Sequence, residues 1–216
     1  MKLKLEFVTD LIDGWSALNL VALQQAIADL GALEVELELR PFELHADLPP
    51  EGVPVAEHIA RTYGADMAAA MGTRDALGAW ANELGFDGYK PELRQKYHNS
   101  FDGHRLLRWA WAMGGPAAQA RLAQELQRLT LCEGGDVSCH GELLAKVEAA
   151  GLDVAMAKAV LQGPAFADEV CSIEREYRAQ GLETIPALFV GGKLVCQGSQ
   201  SSEVYTTLIR QAATPH

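Results

Sequence analysis

The chain has 216 residues, 49% of them apolar and 22% charged, with a formal net charge of -11 and a pI of about 5.0. That length suits one substantial domain, or a core domain carrying an inserted second one. The acidic balance disfavours a nucleic-acid partner or an anionic membrane surface, because both repel a protein of this sign. No segment approaches the unbroken apolar run of about 18 residues that a membrane helix needs.

The amino-terminal "MKLKLEFVTD" alternates apolar Leu3, Leu5 and Phe7 with charged Lys2, Lys4 and Glu6, the pattern of a strand. It lacks the apolar stretch and small-residue cleavage site of an export signal, so a cytoplasmic location is expected. The period then changes. Leu20, Leu23, Ile27 and Leu30 recur at helical spacing between Trp15 and Leu30, and Gly31 supplies a residue suited to ending the helix. Val35, Leu37 and Leu39 alternate again over Glu34 to Leu39, before Pro41. The unit predicted is strand, helix, parallel strand, with a right-handed crossover.

From His45 to Gly163 the sequence offers helical segments punctuated by Gly and Pro and no convincing strand, which predicts a helical insertion. Pro116 follows Gly114-Gly115 as a first-turn proline would, with Leu122, Leu126 and Leu129 behind it. Gly151 and Gly163 close two later helices, and Trp80, Trp109 and Trp111 read as core of this part. The last segment returns to sheet: "IPALFV", the linker Gly191-Gly192 and "KLVCQG" form a hairpin pattern. Ser201-Ser202-Glu203 then opens a final helix, with Val204, Tyr205, Leu208 and Ile209 on one face. This order is that of an α/β thioredoxin fold, residues 1–44 and 164–216, with an all-helical domain, residues 45–163, inserted into it.

Several stretches in this order, "TDLIDGWSAL", "RPFELHADLPPEG", "HIARTYG", "NSFDGHRLLRWA", "EGGDVS", "AAGLD", "IPALFVGGK" and "GSQSSEVY", carry a further likeness. With them the chain resembles the DsbA family of thioredoxin-fold proteins, in its FrnE-like branch, associated with polyketide biosynthesis and protein disulfide chemistry. In that family the turn before the first helix usually reads Cys-Pro-Trp-Cys, one thiolate attacking and the other resolving the mixed disulfide. The residues at these positions here are Asp13, Gly14, Trp15 and Ser16. Neither a carboxylate nor a hydroxyl can cycle between dithiol and disulfide, so the chain is expected to be redox-inactive at this degenerate turn.

Asp13 has two readings. As a helix N-cap its carboxylate takes backbone hydrogen bonds, which tends to lower its pKa and weaken it as a base. At the base of a cleft the same group is a general acid or base. Ser16 reads either as a small hydroxyl facing the helix interior or as a donor to a substrate. Fold relatives that use glutathione, the kappa-class transferases and 2-hydroxychromene-2-carboxylate isomerases, place a serine at the first motif position, which here is Asp13. A carboxylate beside a thiolate is repulsive by about 1 kcal/mol at contact in water, which weighs against glutathione. No cofactor is therefore assigned, with glutathione kept as the alternative.

The resemblance places Ile185-Pro186 at the family's cis-proline, opposite the turn, where Ile185's backbone is positioned to pair with an extended ligand. His45 and His104-Arg105 match family stretches and are expected either to border the cleft or to tie the insertion to the core; His45 stands where the branch often has Asn or Asp. Cys132 and Cys139 flank "EGGDVS", but their spacing does not establish proximity. The four cysteines fit neither a zinc site nor a CxxC pair, and no metal site is expected.

The expected function is an isomerase-type enzyme acting on a small organic substrate, with Asp13 and Ser16 catalytic and Gly14, Trp15, Ile185, Pro186, His45 and His104 around the substrate. Two alternatives stand beside it. One is a thiol-dependent oxidoreductase or isomerase working through glutathione or the Cys132 and Cys139 pair. The other is a non-catalytic binding protein using the cis-proline groove. The resemblance is compatible with a homodimer, which the sequence does not decide.

Overall fold

The computed structural model describes residues 2–64 and 67–213. Strand β1 (Leu3–Thr9) leads through a short turn into helix α1 (Gly14–Ala28), and β2 (Val35–Pro41) returns parallel to β1, Leu3 beside Val35 and Thr9 beside Pro41. Near the carboxyl end, β5 (Ala187–Val190) and β6 (Lys193–Gln197) complete a four-stranded sheet in the order β2-β1-β5-β6, with β5 antiparallel to both neighbours. Gly191 and Gly192 make the hairpin turn with φ of 56° and 78°, values that matching the strand twist requires and that side chains resist.

Two layers cover the sheet because both faces of β1 are apolar. Leu5 and Phe7 join one core with Leu20 and Leu23 of α1, Tyr205 and Ile209 of α8 (Ser202–Ala213), and Leu106 and Leu122 of α4 (Phe101–Cys132). Val8 joins the other with Phe42, Phe189, and Ile173 and Tyr177 of α7 (Ala167–Ala179). The expected one-sided alternation of β1 is thus incomplete, since Val8 is fully buried as well.

Between β2 and α7 lie α2 (Val55–Tyr63), α3 (Met67–Glu83), α4, α5 (His140–Ala149) and α6 (Val154–Gln162). This region also holds a minimal antiparallel pair, β3 (Val53–Pro54) with β4 (Lys96–Tyr97), where no strand was expected. Two residues per strand are too few to show an alternating pattern. At Gly115 the backbone of α4 leaves helical values (φ 62°, ψ -156°), and the helix restarts at Pro116, as a proline without an N–H to donate allows.

Other differences are local. Pro41 ends β2 from inside it rather than lying beyond it. On α8 the buried face is Tyr205 and Ile209, while Val204 is 40% exposed because it turns away from the sheet. Trp109 is buried, whereas Trp80 and Trp111 are half-buried.

Candidate functional site

The turn Asp10–Asp13 joins the end of β1 to α1, and the helical region holds it from below and from the side. Asp10 is fully buried; its Oδ1 accepts from Ser100 Oγ at 2.7 Å and from Ile12 N at 3.3 Å, and its Oδ2 accepts from Leu44 N at 2.9 Å. His104 Nε2 lies 3.4 Å from Oδ1. Leu11 O accepts from Thr130 Oγ1 at 3.1 Å, and Ile12 O from the Arg94 guanidinium at 2.9 Å. A methyl group on Gly103 would come within 2.5 Å of Leu11 Cδ1, so a residue without a side chain is what lets α4 pass this close beneath the turn.

Asp13 caps α1. Its Oδ1 accepts from Trp15 N at 3.2 Å and its Oδ2 from Ser16 N at 2.8 Å, with the residue itself in extended conformation. The expected lowering of its pKa does not follow: burial is the largest influence and raises it, the Asp10 charge adds to the rise, and the Ser16 and Trp15 donors oppose it without prevailing. For Asp10 the balance reverses. Burial again opposes the anion, but the adjacent His104, with the Ser100 and Leu44 donors, holds its pKa below the ordinary value. His104 is held above its ordinary value against burial, through Asp10 first and then Glu43 and Glu174.

Around the turn, Gly14 faces Leu77 of α3, whose Cδ1 would sit 3.2 Å from a methyl placed there. Trp15 packs against Trp80, ring centroids 5.8 Å apart, in a cluster that includes Leu18, Phe86 and Tyr89. Ser16 is fully buried. Its hydroxyl is near enough to favour the Asp13 anion but falls outside hydrogen-bonding geometry, and it is unpaired among the described residues.

The other sequence-derived residues divide. Ile185-Pro186 is a cis peptide and both residues are buried, Ile185 in the core against α7. His104 is 1% exposed and packed against Asp10, tying α4 to the turn rather than facing open space. His45 is half-buried, its ring edge-on to His58 at 4.4 Å, and His58 lies 4.2 Å from the Tyr97 ring, over which Arg94 stacks at 4.9 Å. Burial, with the nearby His45 and Arg94, pushes His58 down to about 4, so it is neutral at pH 7. All four cysteines are free thiols; Cys132 is buried, Cys139 and Cys171 are exposed, and Cys196 is half-buried. Among the described residues no group of three or more His, Cys, Asp or Glu could hold a metal ion, and no helix is long and apolar enough to cross a membrane.

Sequence reasoning missed Asp10, Arg94, Thr130 and Tyr89. Asp10 did carry a signal, an ionisable residue closing an otherwise apolar strand; for the other three we find none.

The arrangement matches known proteins over almost its whole length. Residues 4–210 fit the family described as DSBA-like thioredoxin domain. A "probable DsbA oxidoreductase" from Streptomyces coelicolor shares 29% identity and superposes with a TM-score of 0.87, over 99% of this chain and 92% of that one. A 2-hydroxychromene-2-carboxylate isomerase shares 18% identity at a TM-score of 0.69, over 96% and 93% of the two chains. The cytosolic disulfide reductase DsbM from Pseudomonas aeruginosa shares 19% at 0.62, over 98% and 96%. No curated protein matches the chain. The chain belongs to the DsbA-like thioredoxin family.

Proposed function

We propose that this DsbA-like protein is an isomerase-type enzyme that moves a proton on a small organic substrate at the α1 turn, and that it performs no dithiol exchange there. The observation that carries this reading is Asp13: a carboxyl at the start of α1, held by two backbone N–H groups, whose burial nevertheless raises its pKa. A raised carboxyl retains its proton closer to neutral pH, which suits an acid that gives a proton up and takes it back. One fold relative is named as an isomerase, in line with this reading, while another is named as a disulfide reductase, from which the Asp13 and Ser16 turn separates this chain.

Trp15 supplies an aromatic wall, and Gly14, without a side chain of its own, lets Leu77 of α3 pack close to the turn. The family resemblance assigns Ile185 and Pro186 to the opposite wall and His45 to its flank, whereas His104, buried against Asp10, supports the turn from within. Nothing in this mechanism calls for glutathione or another cofactor. A cytoplasmic location remains part of the reading, consistent with a cytosolic relative. A link to polyketide biosynthesis rests on the branch resemblance alone.

The test is chemical. In an insulin-reduction assay the wild-type protein is expected to match the background rate, and the double variant Asp13→Cys, Ser16→Cys is expected to gain activity, because the helix start favours a thiolate. Wild-type turnover that survives Asp13→Asn but disappears in Cys132→Ser would instead establish the thiol-dependent alternative.

A further inference from the structure

A cavity of about 390 Å³ lies between α3 and the segment that follows it, residues 85–91. Its volume falls in the range of small-molecule sites. Gly78 and Ala81 on one side and Gly85 and Gly88 on the other add little side-chain bulk, and Phe86 and Tyr89 are part of its lining. Aromatic side chains in such a lining favour an aromatic guest that can stack on them.

The polar groups select further. Asp75, Asn82 and Asp87 line the cavity with acceptor oxygens. Arg74 is its one cationic side chain, and it leans toward Glu92, 3.8 Å away. Asp75 and Asp87 have no cation partner among the described residues. The balance repels anions and offers acceptors to O–H or N–H donors.

The cavity also backs onto the apolar cluster beneath α1. Ala81 lies in the buried cluster of Leu18 and Leu77, and Phe86, Tyr89, Trp15 and Trp80 pack against that cluster. Tyr89 also packs against Ala17 of α1 with Leu131 and Cys132, so it reaches from the cavity to the underside of α1. We infer that the cavity between α3 and residues 85–91 binds a planar aromatic molecule that carries hydrogen-bond donors and no negative charge, with Tyr89 as the side chain shared between that site and the packing beneath α1. Binding stands on the cavity itself; only the chemistry done on the bound molecule rests on the Asp13 reading.

The probe is naphthalenediol, with naphthoate as its anionic counterpart, titrated calorimetrically. The diol is expected to bind and naphthoate to bind at least about tenfold more weakly. Gly78→Leu places a side chain where a methyl meets nothing within 4 Å, so it fills the cavity without a clash and is expected to abolish diol binding. Asp75→Asn keeps the shape and is expected to weaken the diol several-fold while narrowing its margin over naphthoate. Thermal melts of both variants at wild-type values show that the fold is retained. Absence of diol binding, binding unchanged by Gly78→Leu, or tighter binding of naphthoate overturns the inference. Diol binding that meets these expectations, together with deuterium exchange at the diol's ring carbons that is indifferent to Asp13→Asn, leaves the site standing and removes the proton-transfer reading.

Discussion

Asp10 and Asp13 sit on one turn, three residues apart, and their surroundings push them in opposite directions. Both are desolvated, which taken alone would raise both. Asp10 meets a histidine, a hydroxyl and two backbone N–H groups, whereas Asp13 meets two backbone N–H groups and the like charge of Asp10. The decisive difference is the opposite charge supplied by the helical region. A carboxylate enclosed with a cation remains an anion; one enclosed with dipoles and a neighbouring anion tends toward the neutral acid. The inner carboxylate therefore suits scaffolding and the outer one suits chemistry.

The strongest way to break this comparison is to remove the cation. His104→Leu leaves Asp10 buried without its imidazole and is expected to cost about 3–5 kcal/mol in urea unfolding at neutral pH. Asp13→Ala removes a helix cap and is expected to cost only about 1 kcal/mol. Equal losses in the two variants would mean that the inner pair carries no special share of the stability.

A second measurement sharpens the inner cluster. Glu43 is buried beside it, its Oε1 accepting from Asn99 Nδ2 at 2.9 Å. Burial first, and then the Glu174 and Asp10 carboxylates, push its pKa up from 4.5 to about 7, with His104 and Asn99 opposing. A carboxyl raised in the folded state binds its proton more tightly there than in the unfolded chain. Its contribution is fully present below pH 4.5 and is lost as the pH rises through about 7. That difference corresponds to up to about 3 kcal/mol. Stability profiles of wild type and Glu43→Gln are thus expected to diverge between these limits, with the variant gaining relative to wild type at higher pH. Parallel profiles would place Glu43 outside the cluster's electrostatics.

The sequence disclosed what local periodicity controls. β1, α1, β2, the Gly191-Gly192 hairpin and α8 are all visible because each is written in contiguous residues. Asp13 as a cap is visible for the same reason, an acid immediately before a helix. Asp10 was passed over because its meaning comes from Ser100, 90 residues away, and from His104 beyond it. Arg94 and Thr130, which hold the carbonyls of Ile12 and Leu11, are equally remote. His104 was legible as a residue of interest through the resemblance, but not as the partner of a buried acid. The direction of the Asp13 shift is not legible because capping geometry is local, while burial depends on how distant segments pack around the turn.

The smallest expected effect, and the one closest to the chemistry, is at Ser16. Its hydroxyl is fully buried and unpaired among the described residues. An unsatisfied buried hydroxyl is costly, and Ala is the better helix former by about 0.5 kcal/mol, so Ser16→Ala is expected to raise stability by about 1 kcal/mol. The same hydroxyl favours the Asp13 anion from outside hydrogen-bonding geometry. Its removal should move the Asp13 midpoint further upward in a carboxyl carbon NMR titration. A variant that loses stability, or an Asp13 midpoint that falls, would mean that Ser16 is a bonded member of the turn and that the outer carboxyl is less isolated than its contrast with Asp10 requires.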